Sequence, residues 1–285
     1  MIAARFERAM ALLELVRIDK PLAAAMYALL GAYLAAPPGA PWSARTLAAA
    51  AVVGLITAFG LVINDYCDVA VDSIGKPQRP IPSGRVSRRL AGAFAWTLAA
   101  AALAISAMLG ADLAVFALGA VGLSAAYSYR LKNTLLLGNA AVGLLVAAVL
   151  VYGALTVGRV TAGVWMAAVI TFPYLLAQEA LFNLEDEEED RAAGLRTTAT
   201  QLGAERAAGL VRVIFLAVMA IAVAPWALGL ASDFYGAALL LCVLAPTAGL
   251  IYLLRRPLSR LAVARAVKLS RLAWVTSFVP LALLK

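Results

Sequence analysis

The chain has 285 residues, of which 64% are hydrophobic and only 14% are charged, and its mean hydropathy is +0.90. Soluble domains are closer to half apolar and a quarter charged, so this composition excludes an ordinary soluble protein and indicates one that crosses a membrane many times. The sequence contains no histidine, which excludes Ser-His-Asp catalysis and histidine-bound zinc.

The predicted elements begin with an amphipathic segment, residues 1–20, which we expect to lie on the cytoplasmic surface. Pro21 opens the first of about nine apolar runs, each close to the roughly 20 residues that a bilayer span requires. The predicted spans are about 21–36, 46–64, 90–109, 112–129, 135–156, 162–182, 208–230, 236–254 and 264–284. No soluble domain separates these runs, so we expect residues 1–285 to form a single membrane domain.

Basic residues fall on alternate connections between these runs. If the N-terminus is cytoplasmic, 21 of the 24 lysine and arginine residues lie on the cytoplasmic side, and only Arg45, Arg159 and Lys285 lie elsewhere. This pattern follows the positive-inside rule and predicts an internal N-terminus and an external C-terminus. The net charge of +8 therefore reflects topology. It does not indicate nucleic-acid binding, and no obligatory protein partner is evident.

The second predicted span ends in NDYCDVAVDSIGKPQRPIPSG, residues 64–84, which places three aspartates at a membrane boundary. Carboxylates near the hydrocarbon are costly, so they indicate a functional site. Asn64, Asp68 and Asp72 are four residues apart and are predicted to lie on one helix face, with Asp65 beside them.

Basic residues follow the first acidic cluster and the fourth span. Lys76 and Arg79 lie among three prolines, which cannot continue a helix and predict a stiff, extended loop that covers a pocket. Arg130 and Lys132 lie at the end of the fourth span. These four residues are either anchors of the positive-inside kind or cations that neutralise a diphosphate leaving group.

A second acidic cluster ends the sixth span. Glu179, Asn183, Asp186 and Asp190 are spaced so that they share a helix face, while the glutamates at 187 and 188 are expected to point to water. Two stripes of oxygen ligands brought face to face would form a site for Mg²⁺, which prefers a few carboxylates together with substrate phosphate oxygens. Taken alone, the second cluster is also consistent with a solvated acidic loop.

Both clusters resemble the motifs of a known family. NDYCDVAVDSIGKPQRPIPSG resembles the NDxxDxxxD signature and RPxPSG loop of the UbiA superfamily of intramembrane prenyltransferases, and DEEEDRAAGLRTT resembles its second acidic motif. AYSYRLKNTLLLGN is similar to the end of that family's fourth helix, and RIDKP to the entry of its first. The resemblance implies an all-α membrane protein with nine helices around a central lateral cavity that opens toward the cytoplasm.

The resemblance also implies the chemistry. An isoprenyl diphosphate would bind with Mg²⁺, and its prenyl group would pass to an acceptor with release of diphosphate. The implied metal ligands are Asn64, Asp68, Asp72, Asp186 and Asp190, and these four aspartates with Lys132 are the implied catalytic residues. The implied contacts of the diphosphate and of the cavity are Asn64, Lys76, Arg79, Tyr127, Arg130, Lys132 and Asn139.

The acceptor is left open at this point. RIDKP resembles the enzymes that prenylate 4-hydroxybenzoate, whereas the short connection DSIGKPQRPIPSG resembles those that prenylate lipid glycerol phosphates, chlorophyllides or homogentisate. Gln178, Asn183 and Glu189 depart from the lipid-type pattern, which has Arg, Asp and Gly there. An alternative is a terpene cyclase that ionises the same donor without an acceptor. An ion transporter is disfavoured, because its acidic residues would lie in mid-span rather than at one interface.

Overall fold

The computed structural model describes residues 2–39, 42–255 and 257–285, with side chains from residue 7 onward. No β-strand occurs within these ranges. The α-helices are α1 Ile2–Val16, α2 Asp19–Ala35, α3 Ala44–Cys67, α4 Val69–Gly75, α5 Arg88–Leu109, α6 Ala111–Tyr129, α7 Leu137–Leu155, α8 Ala162–Glu185, α9 Glu187–Ala192, α10 Thr198–Leu202, α11 Ala204–Ala227, α12 Asp233–Leu239, α13 Ala245–Leu253, α14 Arg260–Thr276 and α15 Phe278–Ala282. The all-α prediction is confirmed.

Seven helical segments in the described part of the chain are long and apolar enough to cross a membrane: α3, α5, α6, α7, α8, α11 and the continuous segment Asp233–Leu253. That last segment joins α12 to α13 through a π-helical turn, Leu240–Leu244. The first and last predicted spans correspond to α2 and α14, which have 17 residues each. The expected count of nine spans is therefore not confirmed by helix length and composition.

Serine side chains explain where several helices begin. The first N–H groups of a helix have no partner within the helix, and a serine hydroxyl at the preceding position can accept from one of them. Ser43, Ser87, Ser232 and Ser259 do this at the starts of α3, α5, α12 and α14, at 3.1–3.3 Å. Polar residues at the membrane boundaries thus define the helix starts.

The chain forms two compact units. The first contains Met1–Ala32, Ala36–Leu131 and Tyr152–Arg159, and the second contains Tyr33–Ala35, Lys132–Val151 and Val160–Lys285. The first acidic cluster belongs to the first unit and the second cluster to the second unit.

In the first unit, α3 packs against α1, α5 and α6, and α5 packs on α6. One face of α5 is a row of small buried residues, Ala91, Ala95, Ala99 and Ala102, which lets the helix backbones approach closely in the membrane. A single residue, Gly110, joins α5 to α6 with a φ of +146°, a conformation that a residue with a side chain rarely adopts.

In the second unit, α8 packs against α11 and α14, and α13 also packs on α14. Tyr174 of α8 lies at the centre of this arrangement, with its ring stacked on Trp274 and edge-on to Phe215. Its hydroxyl donates a 2.6 Å hydrogen bond to the carbonyl oxygen of Ser270. Aromatic and polar contacts therefore both hold α8, the helix that leads into the second acidic cluster, against its neighbours.

Candidate active site

The first acidic cluster lies where α3 gives way to the short helix α4. The helix breaks at one residue, Asp68, whose φ and ψ are −88° and 7°. The backbone N–H of Asp68 still donates to the carbonyl of Asn64 at 2.9 Å, and that of Asp72 donates to the carbonyl of Asp68 at 2.8 Å. The three residues thus stay one turn apart, as predicted, although the helix is not continuous.

Burial separates the members of this first cluster. Asp65 and Asp72 are buried, with 3% and 5% of their surfaces exposed, whereas Asn64 and Asp68 are half-buried. A buried carboxylate is costly unless it is paired or hydrogen-bonded. Both buried aspartates meet that condition through arginine side chains.

Arg79 contacts both buried aspartates. Its Nη1 donates to Oδ2 of Asp72 at 2.7 Å and to Oδ1 of Asp65 at 3.3 Å. Arg17, which lies between α1 and α2, donates from Nη2 to the two carboxylate oxygens of Asp65 at 2.7 and 2.9 Å. The sequence analysis did not identify Arg17 as a site residue, and it placed Asp65 beside the predicted ligands without assigning it a role. The signal that could have found Arg17 is a basic residue in RIDKP, where the chain enters its first apolar run.

The loop that carries Lys76 and Arg79 is not extended, which corrects the expectation drawn from its prolines. Backbone hydrogen bonds fold the loop back on itself. The N–H of Arg79 donates to the carbonyl of Lys76 at 3.0 Å, and the N–H of Val86 donates to the carbonyl of Pro80 at 2.9 Å. Ile81 and Val86 are buried and anchor the loop. The prolines exclude a helix here, as predicted, but other backbone N–H groups of the loop form hydrogen bonds with carbonyl groups of the same loop.

A second ion pair joins this loop to α1. Arg85 donates to both carboxylate oxygens of Glu14, at 2.5 and 2.9 Å, with both side chains about half exposed. These hydrogen bonds hold the pKa of Glu14 below its ordinary value. Helix α1 is therefore linked to the first acidic cluster through Arg17 and to the following loop through Glu14.

The second acidic cluster repeats the local backbone of the first. Helix α8 ends at Glu185, the chain breaks at Asp186 with φ and ψ of −92° and 8°, and α9 follows. The N–H of Asp190 donates to the carbonyl of Asp186 at 2.9 Å, and both aspartates are half-buried. In each cluster, a long helix thus breaks at one aspartate and presents the next aspartate one turn later.

The neighbouring glutamates make ion pairs. Glu188 is exposed and pairs with Arg260, and Glu185 lies 4.0 Å from Arg271. The side chain of Glu187 is only 16% exposed and accepts a 2.5 Å hydrogen bond from Arg191. The expectation that it points to water therefore fails for Glu187, because an arginine four residues later holds it against the protein.

Two departures from the lipid-type pattern have structural partners in the second unit. Asn183 accepts a 3.0 Å hydrogen bond from the amide of Asn139, which is buried. Gln178 donates to the hydroxyl of Ser270 on α14 at 3.3 Å. The hydrogen bond with Asn183 thus positions the side chain of Asn139, a predicted cavity residue.

The remaining predicted residues lie near the end of α6. Tyr127 is half-buried, and Arg130 is exposed where α6 ends. Lys132 is half-buried in a 3₁₀ turn, Leu131–Asn133. In the second unit, the side chain of Asn133 accepts a 2.5 Å hydrogen bond from the N–H of Arg196, which ties the start of this connection to the segment after the second cluster.

Asn64, Asp68 and Asp72 in the first unit, and Asp186 and Asp190 in the second, each offer carboxylate or amide oxygens, the kind of donor that Mg²⁺ prefers in proteins. In the part of the chain that the structure describes, no three acidic or cysteine side chains form a group that could hold a metal unaided. In the first cluster, the cation that pairs with the Asp72 carboxylate in this structure is the guanidinium group of Arg79.

Known proteins are similar to this chain over most of its length. The profile of the UbiA prenyltransferase family matches residues 24–274. A digeranylgeranylglyceryl phosphate synthase of Pyrococcus abyssi is 36% identical over 198 residues, which are 70% of this chain and 71% of the relative. The enzyme of that name from Halobacterium salinarum is 37% identical over 226 residues, or 79% of this chain and 80% of the relative.

Solved structures share the fold. One, described as giving structural and mechanistic insights into a digeranylgeranylglyceryl phosphate synthase in membranes, aligns with a TM-score of 0.78 at 20% identity over 97% of this chain and 98% of that chain. A UbiA homolog from Archaeoglobus fulgidus, bound to GPP and Mg²⁺, aligns with a TM-score of 0.68 at 19% identity over 94% of this chain and 99% of that chain. The family match and the relatives confirm the resemblance carried by the two acidic motifs: this multi-pass membrane protein belongs to the UbiA prenyltransferase family.

Proposed function

We propose that this prenyltransferase transfers a geranylgeranyl group from geranylgeranyl diphosphate to geranylgeranylglyceryl phosphate, in a reaction that needs Mg²⁺. The observation that carries this proposal is the shared name of its relatives, digeranylgeranylglyceryl phosphate synthase, at 36–37% identity over 70% or more of the chain. These relatives favour a lipid acceptor over an aromatic one. They give the terpene cyclase alternative no support.

In the proposed reaction, the bond between the allylic carbon and the diphosphate oxygen breaks, and diphosphate leaves. The acceptor hydroxyl forms an ether bond to the allylic carbon and loses its proton. Bound Mg²⁺ would supply positive charge to the departing diphosphate. Cationic side chains placed where that charge develops lower the barrier in the same way.

The proposed residue roles follow the implied assignments. Asn64, Asp68 and Asp72 of the first motif, and Asp186 and Asp190 of the second, are the proposed Mg²⁺ ligands. The proposed diphosphate contacts are the basic residues Lys76, Arg79, Arg130 and Lys132. Tyr127 and Asn139 are proposed to line the cavity. The repeated backbone of the two motifs supports similar roles for their aspartates, because each motif presents two carboxylates one turn apart.

We further propose nine spans, with α2 and α14 as the first and last, an internal N-terminus, and an active site open to the cytoplasm. Cysteine labelling in intact cells tests the orientation, in a background where Cys67 and Cys242 are replaced by alanine. A maleimide that does not cross membranes should label Arg159→Cys directly and Arg196→Cys only after permeabilisation. The reverse pattern would refute this orientation.

An acceptor panel tests the reaction. Purified protein is supplied with Mg²⁺, with geranyl, farnesyl or geranylgeranyl diphosphate, and with geranylgeranylglyceryl phosphate, 4-hydroxybenzoate or no acceptor. Mass spectrometry should find the digeranylgeranyl ether lipid with the geranylgeranyl donor and the glycerol phosphate acceptor. A prenylated 4-hydroxybenzoate as the sole product would overturn the acceptor assignment. Hydrocarbon formed without an acceptor would instead support a cyclase.

A further inference from the structure

Arg17 has an unusual backbone conformation. It lies between α1 and α2 with a φ of +47°, the left-handed region that residues other than glycine seldom occupy. Such a conformation is costly and persists only where surrounding contacts hold it. The N–H of Lys20 donates to the carbonyl of Arg17 at 2.8 Å, which closes the turn between the helices. The side chain is then directed to one partner, Asp65.

The contact with Asp65 is one of the strong kinds of ion pair. One guanidinium nitrogen of Arg17 reaches both carboxylate oxygens, and only 4% of the Asp65 side chain is exposed. Hydrogen bonds between ionised groups are shorter and stronger than neutral ones, and their loss in a buried place leaves an uncompensated charge. The buried negative charge of Asp65 therefore depends on its arginine partners for compensation.

Asp65 shares its second arginine with the proposed metal ligand Asp72. Arg79 lies 3.3 Å from Asp65 and 2.7 Å from Asp72, so its closer contact is with Asp72. Two guanidinium groups balance two carboxylates in the order Arg17, Asp65, Arg79, Asp72. Without Arg17, Arg79 would be the remaining close cation for both carboxylates, and Asp65 would attract it away from Asp72.

We propose that Arg17 is a positioning residue for the first acidic motif. By neutralising Asp65, it leaves Arg79 and Asp72 available to the metal and the diphosphate. This inference rests on the proposed function, since it assigns Asp72 and Arg79 to donor binding. Arg17 itself contacts neither the metal nor the donor and acts only through Asp65.

A binding titration tests the proposal without relying on turnover. The probe is geranylgeranyl thiolodiphosphate, a donor analogue that resists ionisation, and its binding to detergent-purified protein is followed by calorimetry as MgCl₂ is raised. Arg17→Gln should raise the Mg²⁺ concentration for half-maximal binding by about tenfold or more, because Arg79 would then be held by the unneutralised Asp65 and would not be available to the diphosphate that binds with the metal. Arg17→Lys, which keeps the charge but lacks the planar fork, should raise it less.

Two further variants separate positioning from other roles. Glu14→Gln is the matched control, because it removes the ion pair between α1 and Arg85 and should leave the Mg²⁺ midpoint unchanged. Asp65→Asn removes the charge that would draw Arg79 away, so it should leave the midpoint close to the wild-type value, and adding Arg17→Gln to it should then cause little rise, because Arg17 acts through Asp65.

Several results would overturn the proposal. A folded Arg17→Gln protein with the wild-type midpoint would do so, as would a rise caused by Arg17→Gln that is equally large in the Asp65→Asn background, which would mean that Arg17 does not act through Asp65. If Arg17→Gln does not fold, a wild-type midpoint in Arg17→Lys decides against it. Failure of the wild-type protein to bind the analogue in a Mg²⁺-dependent way would instead refute the proposed function, before any variant is compared.

Discussion

Arg79 donates a 2.7 Å hydrogen bond to Asp72, so the proposed metal ligand is paired with a cationic side chain in this structure. A guanidinium and a divalent cation compete for the same carboxylate oxygens. With the proposed roles of Asp72 and Arg79, binding of Mg²⁺ and diphosphate would be an exchange, in which Arg79 gives up Asp72 and turns its charge toward the leaving group.

This exchange predicts opposite effects of one substitution on two measurements. In Arg79→Gln, the competing cation is lost, so Mn²⁺ without donor should bind at a lower concentration than in the wild-type protein. Turnover should fall by about 100-fold, because one charge that stabilises the leaving diphosphate is missing. Electron paramagnetic resonance of bound Mn²⁺ and a product assay check the two halves. Weaker Mn²⁺ binding in this variant would argue against competition at Asp72.

The two aspartates at the helix breaks are predicted to be essential. Asp68→Ala and Asp186→Ala should each reduce Mg²⁺-dependent turnover to background, while the protein stays folded in detergent. Glu189→Gln is the control, since it removes an exposed acid within the second cluster. Product formation and thermal unfolding are measured on the same preparations. Wild-type turnover in either alanine variant would remove that residue from the metal site.

Removal of the metal should stop the reaction reversibly. We expect EDTA to abolish product formation and added Mg²⁺ to restore it, because the diphosphate then departs with charge compensation again. The assay is product mass spectrometry before chelation, after it and after readdition of Mg²⁺. Undiminished turnover in metal-free buffer would show that arginine and lysine side chains alone support the chemistry.

The hydrogen bond from Asn139 to Asn183 should be worth about 1 kcal/mol of coupling free energy. A double-mutant cycle of Asn139→Ala and Asn183→Ala, followed by unfolding in detergent, measures it. Asn183→Asp keeps the acceptor oxygen and should retain the bond. Asn139→Ala combined with Gln178→Ala is the control cycle, because Gln178 has a different partner and the effects should add. Additivity in the first cycle would mean that the pair contributes nothing.

The ion pair of Glu14 with Arg85 should give α1 a pH-dependent attachment. The pKa of Glu14 is lowered in the folded state, so the stabilisation is complete above the ordinary pKa of 4.5 and is lost as the pH falls through the lower folded value. The wild-type protein should therefore unfold at a slightly higher temperature than Glu14→Gln at pH 7, and the difference should decrease as the pH falls below 4.5. A difference that persists or grows on acidification contradicts this assignment.

Periodicity and charge predicted the class of fold and both acidic motifs, because hydrophobic length and local spacing are recorded directly in the sequence. Residues four apart do lie one turn apart in both motifs. The breaks at Asp68 and Asp186 were not predicted, since neither position has the glycine or proline that usually ends a helix. Such a break depends on packing rather than on local preference.

Long-range pairs were also beyond sequence reasoning. Arg17 and Asp65 are 48 residues apart, and Asn139 and Asn183 are 44 apart. No spacing rule connects residues on different helices, so these side chains had to be found from contacts. The count of nine spans is not confirmed for another reason: α2 and α14 are short, and α14 carries several basic residues, so apolar length alone does not identify them.

At Gly143, α7 approaches the backbone of α8 so closely that a side chain would not fit. A methyl group at this position would lie 2.8 Å from the backbone oxygen of Phe172 and 3.3 Å from the backbone nitrogen of Leu176, and neither can move aside without shifting α8. Asn139 lies one turn before Gly143 on α7 and reaches Asn183 on the helix that would be displaced. A random screen for inactive alleles should therefore recover changes at this glycine, a position with no chemistry of its own.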